Sequence, residues 1–295
     1  MALSTLGTQA VPFNPTFPFP IAHTPARLLE TAEAAFLRSQ IRTVSRFYPD
    51  EKFATIPLRR KTIRSETETQ TGLAGATKRS FDWKLNRVVG FGMDGPVTGH
   101  ELDGLERLSR RVGLTPYIDL CPFAHPSARE LLAQRGYRNA GDINVHILPL
   151  QDVSFDDSGD STRGRVEITR VSTSADRSHF IESSLAGFEQ DAGDSKTEDE
   201  LLKLLAECAT LQPETRTYLA RLDGRIAGGA GMAYLPTPQG PVTQLHITST
   251  VPEFRGRGVQ GALLRARLAD AKASGIRVAV VNTRPGSVSV RNVGK

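Results

Sequence analysis

The sequence predicts an α/β (α+β) protein of two domains, each a mixed sheet flanked by helices. Three observations lead there. The chain has 295 residues, 39% hydrophobic and 23% charged, which at about 150 residues per domain suggests two ordinary globular domains. Helical and strand periodicities alternate in both halves, the rhythm of α/β units. Between the halves lies an acidic, Ser- and Gly-rich stretch with few branched apolar residues, the composition of a linker.

Taken in order, residues 1–25 are rich in Pro and Phe (PFNPTFPFP) and are expected to form a mobile arm, with no basic start of the signal-peptide kind. A helix is expected from Ala26 to about Tyr48, where Leu28, Leu29, Ala32, Ala35, Phe36 and Ile41 recur near helical spacing before Pro49. Residues 61–78, dominated by Thr, Ser, Glu and Gly, are expected to be a loop. HELDGLERLSRRVG reads as an amphipathic helix and PYIDL as a short strand. PSARELLAQRG reads as a helix started by Pro126 and stopped by Gly136, and a strand is expected over 137–148. The domain spans expected are 26–150 and 165–295, with the linker over 151–164.

The second half starts with the alternating strand RVEITRVS. Helices are expected over 176–188 and 197–211. TYLARLDG and RIAGGAGMAYL follow as strands joined at Asp223-Gly224, a strong hairpin signal. VTQLHITST alternates as a further strand and leads through VPEFRGRG into an Ala- and Leu-rich helix ending at Gly275. IRVAVVNT is a continuous apolar run, as expected of a strand covered on both faces.

Composition excludes several classes. Cys121 and Cys208 are far apart and have no C-x-x-C partner, which suits a reducing, cytoplasmic location and burial as small hydrophobes. There is no apolar run of about 18 residues to span a bilayer. The net charge of +5, from 37 basic and 32 acidic residues, and a pI near 9.4 come without any block of five or six like charges. A weak bias toward small anionic ligands is therefore favoured over nucleic acid or membrane partners.

The most informative segment is Arg255, Gly256, Arg257, Gly258, Val259, Gln260 and Gly261, between a strand and a helix. Glycines there let the backbone turn tightly. Successive N–H groups and the positive end of the helix dipole then point at one place, a geometry that suits a pyrophosphate. Arg255 and Arg257 can add charge-assisted contacts. The segment is neither a Walker loop nor a G-x-G-x-x-G fingerprint.

P-E-F-R-G-R-G-V-Q-G-A-L-L resembles the acetyl-CoA-binding motif of the GNAT acetyltransferase superfamily, roughly [QR]-x-x-G-x-[GA]. Arg255 takes the first position and Gly258 that of the glycine. Gln260 stands where Gly or Ala is usual, with Gly261 one step later. The resemblance runs from about Arg165 onward, and the order of elements supports it.

The resemblance implies a GNAT-like mixed sheet and acetyl transfer from acetyl-CoA, a co-substrate, to the amine of a small molecule, a secondary metabolite included, or of a peptide. No metal is implied. It implies that strands 242–251 and 276–281 splay to admit the pantetheine arm. A backbone N–H near Thr248 to Val251, with Thr250 and Val251 in the cofactor site, would stabilise the oxyanion. Asn282 and Asn292 are implied to face the cofactor.

Relatives often place a carboxylate on the strand before the loop as general base. VTQLHITST has none, so His246, with an unperturbed pKa near 6.5, and Glu253 are the candidates, each set against a plain structural or surface role. The family also continues past IRVAVVNT with a helix and two strands, and a Tyr there protonates the thiolate. Here the sequence reaches PGSVSVRN and ends at Lys295, so the second domain is expected to be C-terminally short.

VGLTPYIDLCPFAHPSARELLAQRGY shares a layout with SGIRVAVVNTRPGSVSVRNVGK, aligning Gly113 with Gly275 and Pro122 with Pro285. If this is a duplication, residues 26–150 form a degenerate GNAT-like domain. Its helix start carries Glu101 and Asp103 in place of a phosphate loop, so it binds no CoA. The functional alternatives are an N-acetyltransferase and a catalytically weak or inactive CoA-binding scaffold; either would be a monomer or homodimer.

Overall fold

The structure, a computed structural model, describes residues 2–5, 25–51, 53–61, 68–77, 81–151, 153–155, 166–188 and 196–293. The chain divides into two compact units. One comprises Met1–Val145 with Pro236–Gly240 and Thr283–Ser287, the other His146–Leu235, Pro241–Asn282 and Val288–Lys295. The break falls at Val145/His146, five residues before the boundary read from composition. Most of the expected linker, including Asp152, Asp156, Asp157 and Asp160, lies outside the described residues.

In the first unit, helix α1 (Pro25–Val44) buries Leu28, Ala32, Phe36, Leu37 and Ile41. Where a loop was expected over 61–78, strand β3 (Glu68–Ala76) pairs antiparallel with β2 (Ala54–Lys61). Its small residues are the reason. A Cβ on Gly75 would come within 2.6 Å of both an Ile41 methyl and the Leu85 carbonyl. The TGLAGA run thus lets α1 approach the sheet closely, a packing role that loop-like composition hides. A short helix α2 (Asp82–Leu85), strand β4 (Val88–Val89), helix α3 (Gly99–Arg111), strand β5 (Tyr117–Leu120), helix α4 (Pro126–Gln134) and strand β6 (Arg138–Asp142) follow.

Residues 2–5 correct the expected arm. Ala2–Thr5 is strand β1, parallel to both β5 and β6 and inserted between them. The backbone edges of β5 and β6 need partners, and a short strand supplies them whatever the composition of the residues beyond. The rest of the expected arm to residue 24 lies outside the described residues. The sheet order is β2-β3-β4-β5-β1-β6.

The strand expected over 137–148 is two strands in two sheets. Gly141, at φ 142 with its N–H on Asn139 Oδ1, belongs to the end of β6, and β7 (Asn144–Pro149) joins the second sheet beside β12 (Val278–Thr283). That sheet runs β7-β12-β11-β10-β9-β8. Its other strands are β8 (Glu167–Arg170), β9 (Thr215–Leu222), β10 (Arg225–Leu235) and β11 (Val242–Thr250). The β9–β10 hairpin turns at Asp223 and Gly224, φ 53 and 74, the left-handed pair that a two-residue turn of this kind requires.

Helices α5 (Ser174–Phe188) and α6 (Lys196–Leu211) bury Phe180, Ala206, Ala209 and Leu219 on one face. Helix α7 (Val259–Ala273) packs Leu263, Leu268 and Ala271 with Tyr218, Met232 and Leu245 on the other. A short α8 (Val288–Val293) follows β12.

The two segments aligned in the sequence begin alike. Gly113 and Gly275, φ 70 and 76, each follow a helix whose end is closed by a backbone bond five residues back, Leu114 N to Ser109 O at 2.9 Å and Ile276 N to Ala271 O at 3.0 Å. Among the described residues no helix is long and apolar enough to cross a membrane, and no group of three or more His, Cys, Asp and Glu could hold a metal ion.

Candidate functional site

Strands β11 and β12 pair in parallel only from Val242↔Val278 to Leu245↔Val281, although β11 continues to Thr250 and β12 to Thr283. Beyond Leu245 and Val281 the ladder between the two strands does not continue, so an extended ligand can enter between them and run alongside strand backbone. The divergence coincides with a bulge. Between the pairs Gly229↔Ser249 and Gly231↔His246, Ala230 faces two β11 residues, Ile247 and Thr248. Ile247 sits at φ 44, a left-handed conformation costly for a β-branched side chain, on the order of 1–3 kcal/mol.

Close packing fixes this end of β11. A Cβ on Gly187 would come within 2.5 Å of the Ser249 Cβ, and one on Gly228 within 2.4 Å of the Ser249 carbonyl. Ser249 Oγ donates to the Ser183 carbonyl at 3.1 Å. Helix α5 therefore rests directly on the strand end.

After β11 a single 3-10 turn (Pro252–Phe254) leads into the glycine-rich loop. Gly256 and Gly258 have φ 75 and 84, and a Cβ on either would meet nothing within 4 Å. Gly258 is the N-cap of α7 and contributes no side-chain bond. The first-turn N–H groups of α7 thus keep their outward direction toward open space, with the dipole's positive end behind them. That is an anion cradle made by backbone.

The corresponding helix of the first unit is closed. Thr98 caps α3 in a capping box, its N–H donating to Glu101 Oε2 at 2.6 Å while Glu101 N reaches Thr98 Oγ1 at 3.3 Å. Asp103 is held by Arg135 at 2.6 Å. The helix start that carries acids satisfies its own amides, and the one built on glycine does not.

The side chains expected around the loop are distributed as follows. Arg255 donates to the Gly187 carbonyl at 2.9 Å, clamping the loop to α5. Arg257 pairs with Asp223 of the hairpin at 2.9 Å. Both guanidiniums already have protein partners, so the cradle rests on amides first. Val259 is buried. Gln260 Oε1 accepts from Asn292 Nδ2 at 2.7 Å, which brings two of the expected residues together across α7 and α8. Gly261 lies in the first turn of α7, and Asn282 is exposed near the end of β12. Thr250 ends β11, next to the α5 contact.

Three expectations change. The Val251 N–H, one candidate for the oxyanion contact, donates to the Ala227 carbonyl at 2.9 Å, because the chain leaving β11 is still pinned to β10. Glu253 is exposed and pairs with Arg225 at 2.7 Å, beside the Phe254 ring that Arg225 and Arg257 both cover. It is part of a surface ion network at the hairpin. His246 lies against Gly231, whose Cβ would fall within 2.8 Å of its ring. Burial, aided by the Arg267 guanidinium, lowers the imidazole to about 3. It is neutral near pH 7 but too weak a base to hold an ammonium proton.

Sequence reading missed Ser183, Gly187 and Ser249, which set the strand end. Small residues on α5 were the available signal, since they permit a close helix–strand approach. It also missed the bulge at Ile247, for which the sequence carries no signal: a β-branched residue is the last expected at positive φ.

Residues 180–292 match the family model described as the acetyltransferase (GNAT) family. Among solved structures, a GCN5-related N-acetyltransferase from Kribbella flavida has a TM-score of 0.54 at 13% identity, with 90% of this chain and 89% of that one covered. It shares the fold across both units. A ribosomal-protein-alanine N-acetyltransferase from Brucella melitensis biovar Abortus 2308 is similar over 44% of this chain and 87% of its own, at 21% identity and a TM-score of 0.36. Glucosamine-6-phosphate N-acetyltransferase from Arabidopsis thaliana is similar over 44% and 91%, at 15% identity and 0.34. No curated protein matches the chain.

Proposed function

From a GNAT acetyltransferase domain at residues 180–292, we propose that the protein is an acetyl-CoA-dependent N-acetyltransferase acting on the amine of a small molecule or peptide. The observation that carries this is the junction of two features at one end of the second sheet, the divergence of β11 from β12 after Leu245 and Val281 and the uncapped, glycine-built start of α7. The loop amides from Gly256 to Gly261 hold the pyrophosphate, and the facing edges of β11 and β12 take the extended arm as a strand would. When bound, acetyl-CoA supplies an acyl carbon activated as a thioester. Residues 246–250 orient it, with the bulge at Ile247 turning a backbone N–H of Thr248 or Thr250 toward the developing oxyanion. The amine reacts from its free-base fraction, its nitrogen bonding to the acyl carbon as the C–S bond breaks and the proton it sheds passing through solvent to the departing thiolate, since neither His246 nor Glu253 is built as a base. The first unit is a degenerate GNAT-like domain that binds no CoA, and its capped α3 supports that reading.

Acetyl-CoA should raise Tm, and adding an acceptor amine should release free thiol. An Arg255→Ala, Gly258→Asp double variant should lose both effects. Unchanged stabilisation of the double variant would falsify the cradle. A second reading, a CoA-binding scaffold without turnover, is favoured by the weak basicity of His246. Stabilisation of the wild type without thiol release for any amine class establishes it.

A further inference from the structure

Helix α7 turns the ridge Val259, Leu263, Arg267 and Ala271 toward the second sheet, and all four residues are buried. Their spacing by four puts them on one helical face. Three are apolar, as a core-facing position requires. The fourth carries a guanidinium and is 2% exposed. Its Nη1 donates to the Gly231 carbonyl of β10 at 3.0 Å and its Nε to the Leu263 carbonyl at 3.0 Å. Among the described residues no carboxylate pairs with it. Asp270, three residues on, is committed to Arg170, Arg216 and Tyr218.

A buried cation without a counter-charge is expensive, and burial pulls this guanidinium down to about 10. Packing alone would be served as well by an apolar side chain, since replacing buried ionic groups with apolar ones is often neutral or stabilising. What the cation holds is one particular carbonyl. Gly231↔His246 is the pair at which the β10–β11 ladder resumes after the bulge, and Leu245↔Val281, one residue along, is the last pair before β12 departs. Arg267 therefore meets the sheet at the level where β11 bulges and the gap opens, with roughly 10 Å, two strand spacings, between Gly231 and that gap. Strain such as that of Ile247 at φ 44 persists only where the surroundings over-determine it. Helix α5 fixes one side of the bulge through Ser249, and Arg267 fixes the other through Gly231.

We propose that Arg267 is a positioning residue for acyl transfer, anchoring Gly231 from beneath the sheet so that β11 keeps the bulged form that aims the N–H of Thr248 or Thr250. It acts through the backbone and touches neither cofactor nor acceptor. The stability lost to its unpaired charge is the cost of holding the strained strand in place. This role rests on the acetyltransferase reading, which thiol release by the wild type tests separately.

Arg267→Met and Arg267→Lys test it, with Tm, the kinetics of thiol release and amide hydrogen exchange over residues 246–250 measured on both and on the wild type. Arg267→Met should keep a Tm at or above that of the wild type while exchange over 246–250 quickens. Its kcat should fall about tenfold or more with KM for acetyl-CoA within about twofold, because a slightly misplaced donor is felt chiefly in the transition state. Arg267→Lys, which keeps a donor for the Gly231 carbonyl, should recover most of the lost kcat. An undiminished kcat in Arg267→Met overturns the proposal, as does a rise in KM alone, which makes Arg267 a binding residue. Failure of Arg267→Met to fold overturns it too, because the cation then serves stability. Absence of thiol release by the wild type sinks the acetyltransferase reading, and the exchange rates then decide for Arg267. Faster exchange in Arg267→Met that Arg267→Lys reverses upholds the anchoring of the bulge, and unchanged exchange overturns it.

Discussion

The side-chain amide of Asn292 donates to Gln260 Oε1 at 2.7 Å, tying α8 to the first turn of α7. That turn presents the anion cradle, so the bond steadies the amides that would hold a pyrophosphate. Asn292→Ala should weaken acetyl-CoA binding about fivefold, the loss of one net hydrogen bond of about 1 kcal/mol, with little change in Tm. Titration calorimetry reads this directly, and an unaltered Kd in a normally folded variant removes α8 from the cofactor site.

His246 makes a prediction through its depressed imidazole. With a folded value of about 3 against the ordinary 6.5, it stays neutral in the native state while the unfolded chain takes up a proton below 6.5. Stability is therefore lost as pH falls from 6.5 toward 3. His246→Gln should reduce that loss, seen as a smaller drop in Tm from pH 7 to pH 4 than in the wild type. Any acid limb of the rate profile near neutrality should survive the substitution. A limb that disappears with His246 would restore it as the base.

The alternating strands of the second unit, its hairpin at Asp223-Gly224 and the loop at Arg255 to Gly261 were legible because period, turn residues and glycine placement are local properties of the chain. What was not legible is long-range. Strand β3 looks like a loop until Ile41 is seen against Gly75. No local pattern assigns Ala2–Thr5 to the slot between β5 and β6 or sends β7 to the neighbour position of β12. The candidate site divides in the same way. Glycines at positive φ could be anticipated, whereas the partners of Arg255, Arg257 and Glu253 depend on where α5 and the hairpin lie in space. His246 was a sound candidate by residue type, and only its burial beside Arg267 disqualifies it.

Gly187 tests whether the α5 contact positions the site. An added Cβ would meet the Ser249 Cβ at 2.5 Å and the Thr250 N at 3.1 Å, so Gly187→Ala must push the helix off the strand end. Overpacking of this kind costs about 1–3 kcal/mol. Because Ser249 and Thr250 flank the bulge, acetyl-CoA affinity should fall along with Tm. A variant that loses stability yet binds acetyl-CoA as the wild type does would separate α5 packing from the site. Gly256→Ala offers the contrast: open space surrounds that Cβ and only the backbone is strained, at about 1 kcal/mol.

Glu30 gives the first unit its own pH signature. It is buried on α1, where Oε2 accepts the Gly90 amide at 2.8 Å, near Cys121 and the carboxylates of Asp119 and Glu33, which themselves pair with Arg87. Burial above all, then the Asp119 charge, raises its carboxyl from 4.5 to about 8. The sign follows from proton counts. Between 4.5 and about 8 the native state keeps a proton that the unfolded chain releases, so native Glu30 is neutral and stability falls as pH rises through that window. Glu30→Gln keeps an acceptor for the Gly90 amide and removes the titration. Its denaturation midpoint should therefore vary less than the wild type's from pH 5 to pH 8, the difference growing to roughly 2–4 kcal/mol at the upper end. Parallel curves for the two proteins across that range would mean that Glu30 is ionised in the folded state as in the unfolded chain.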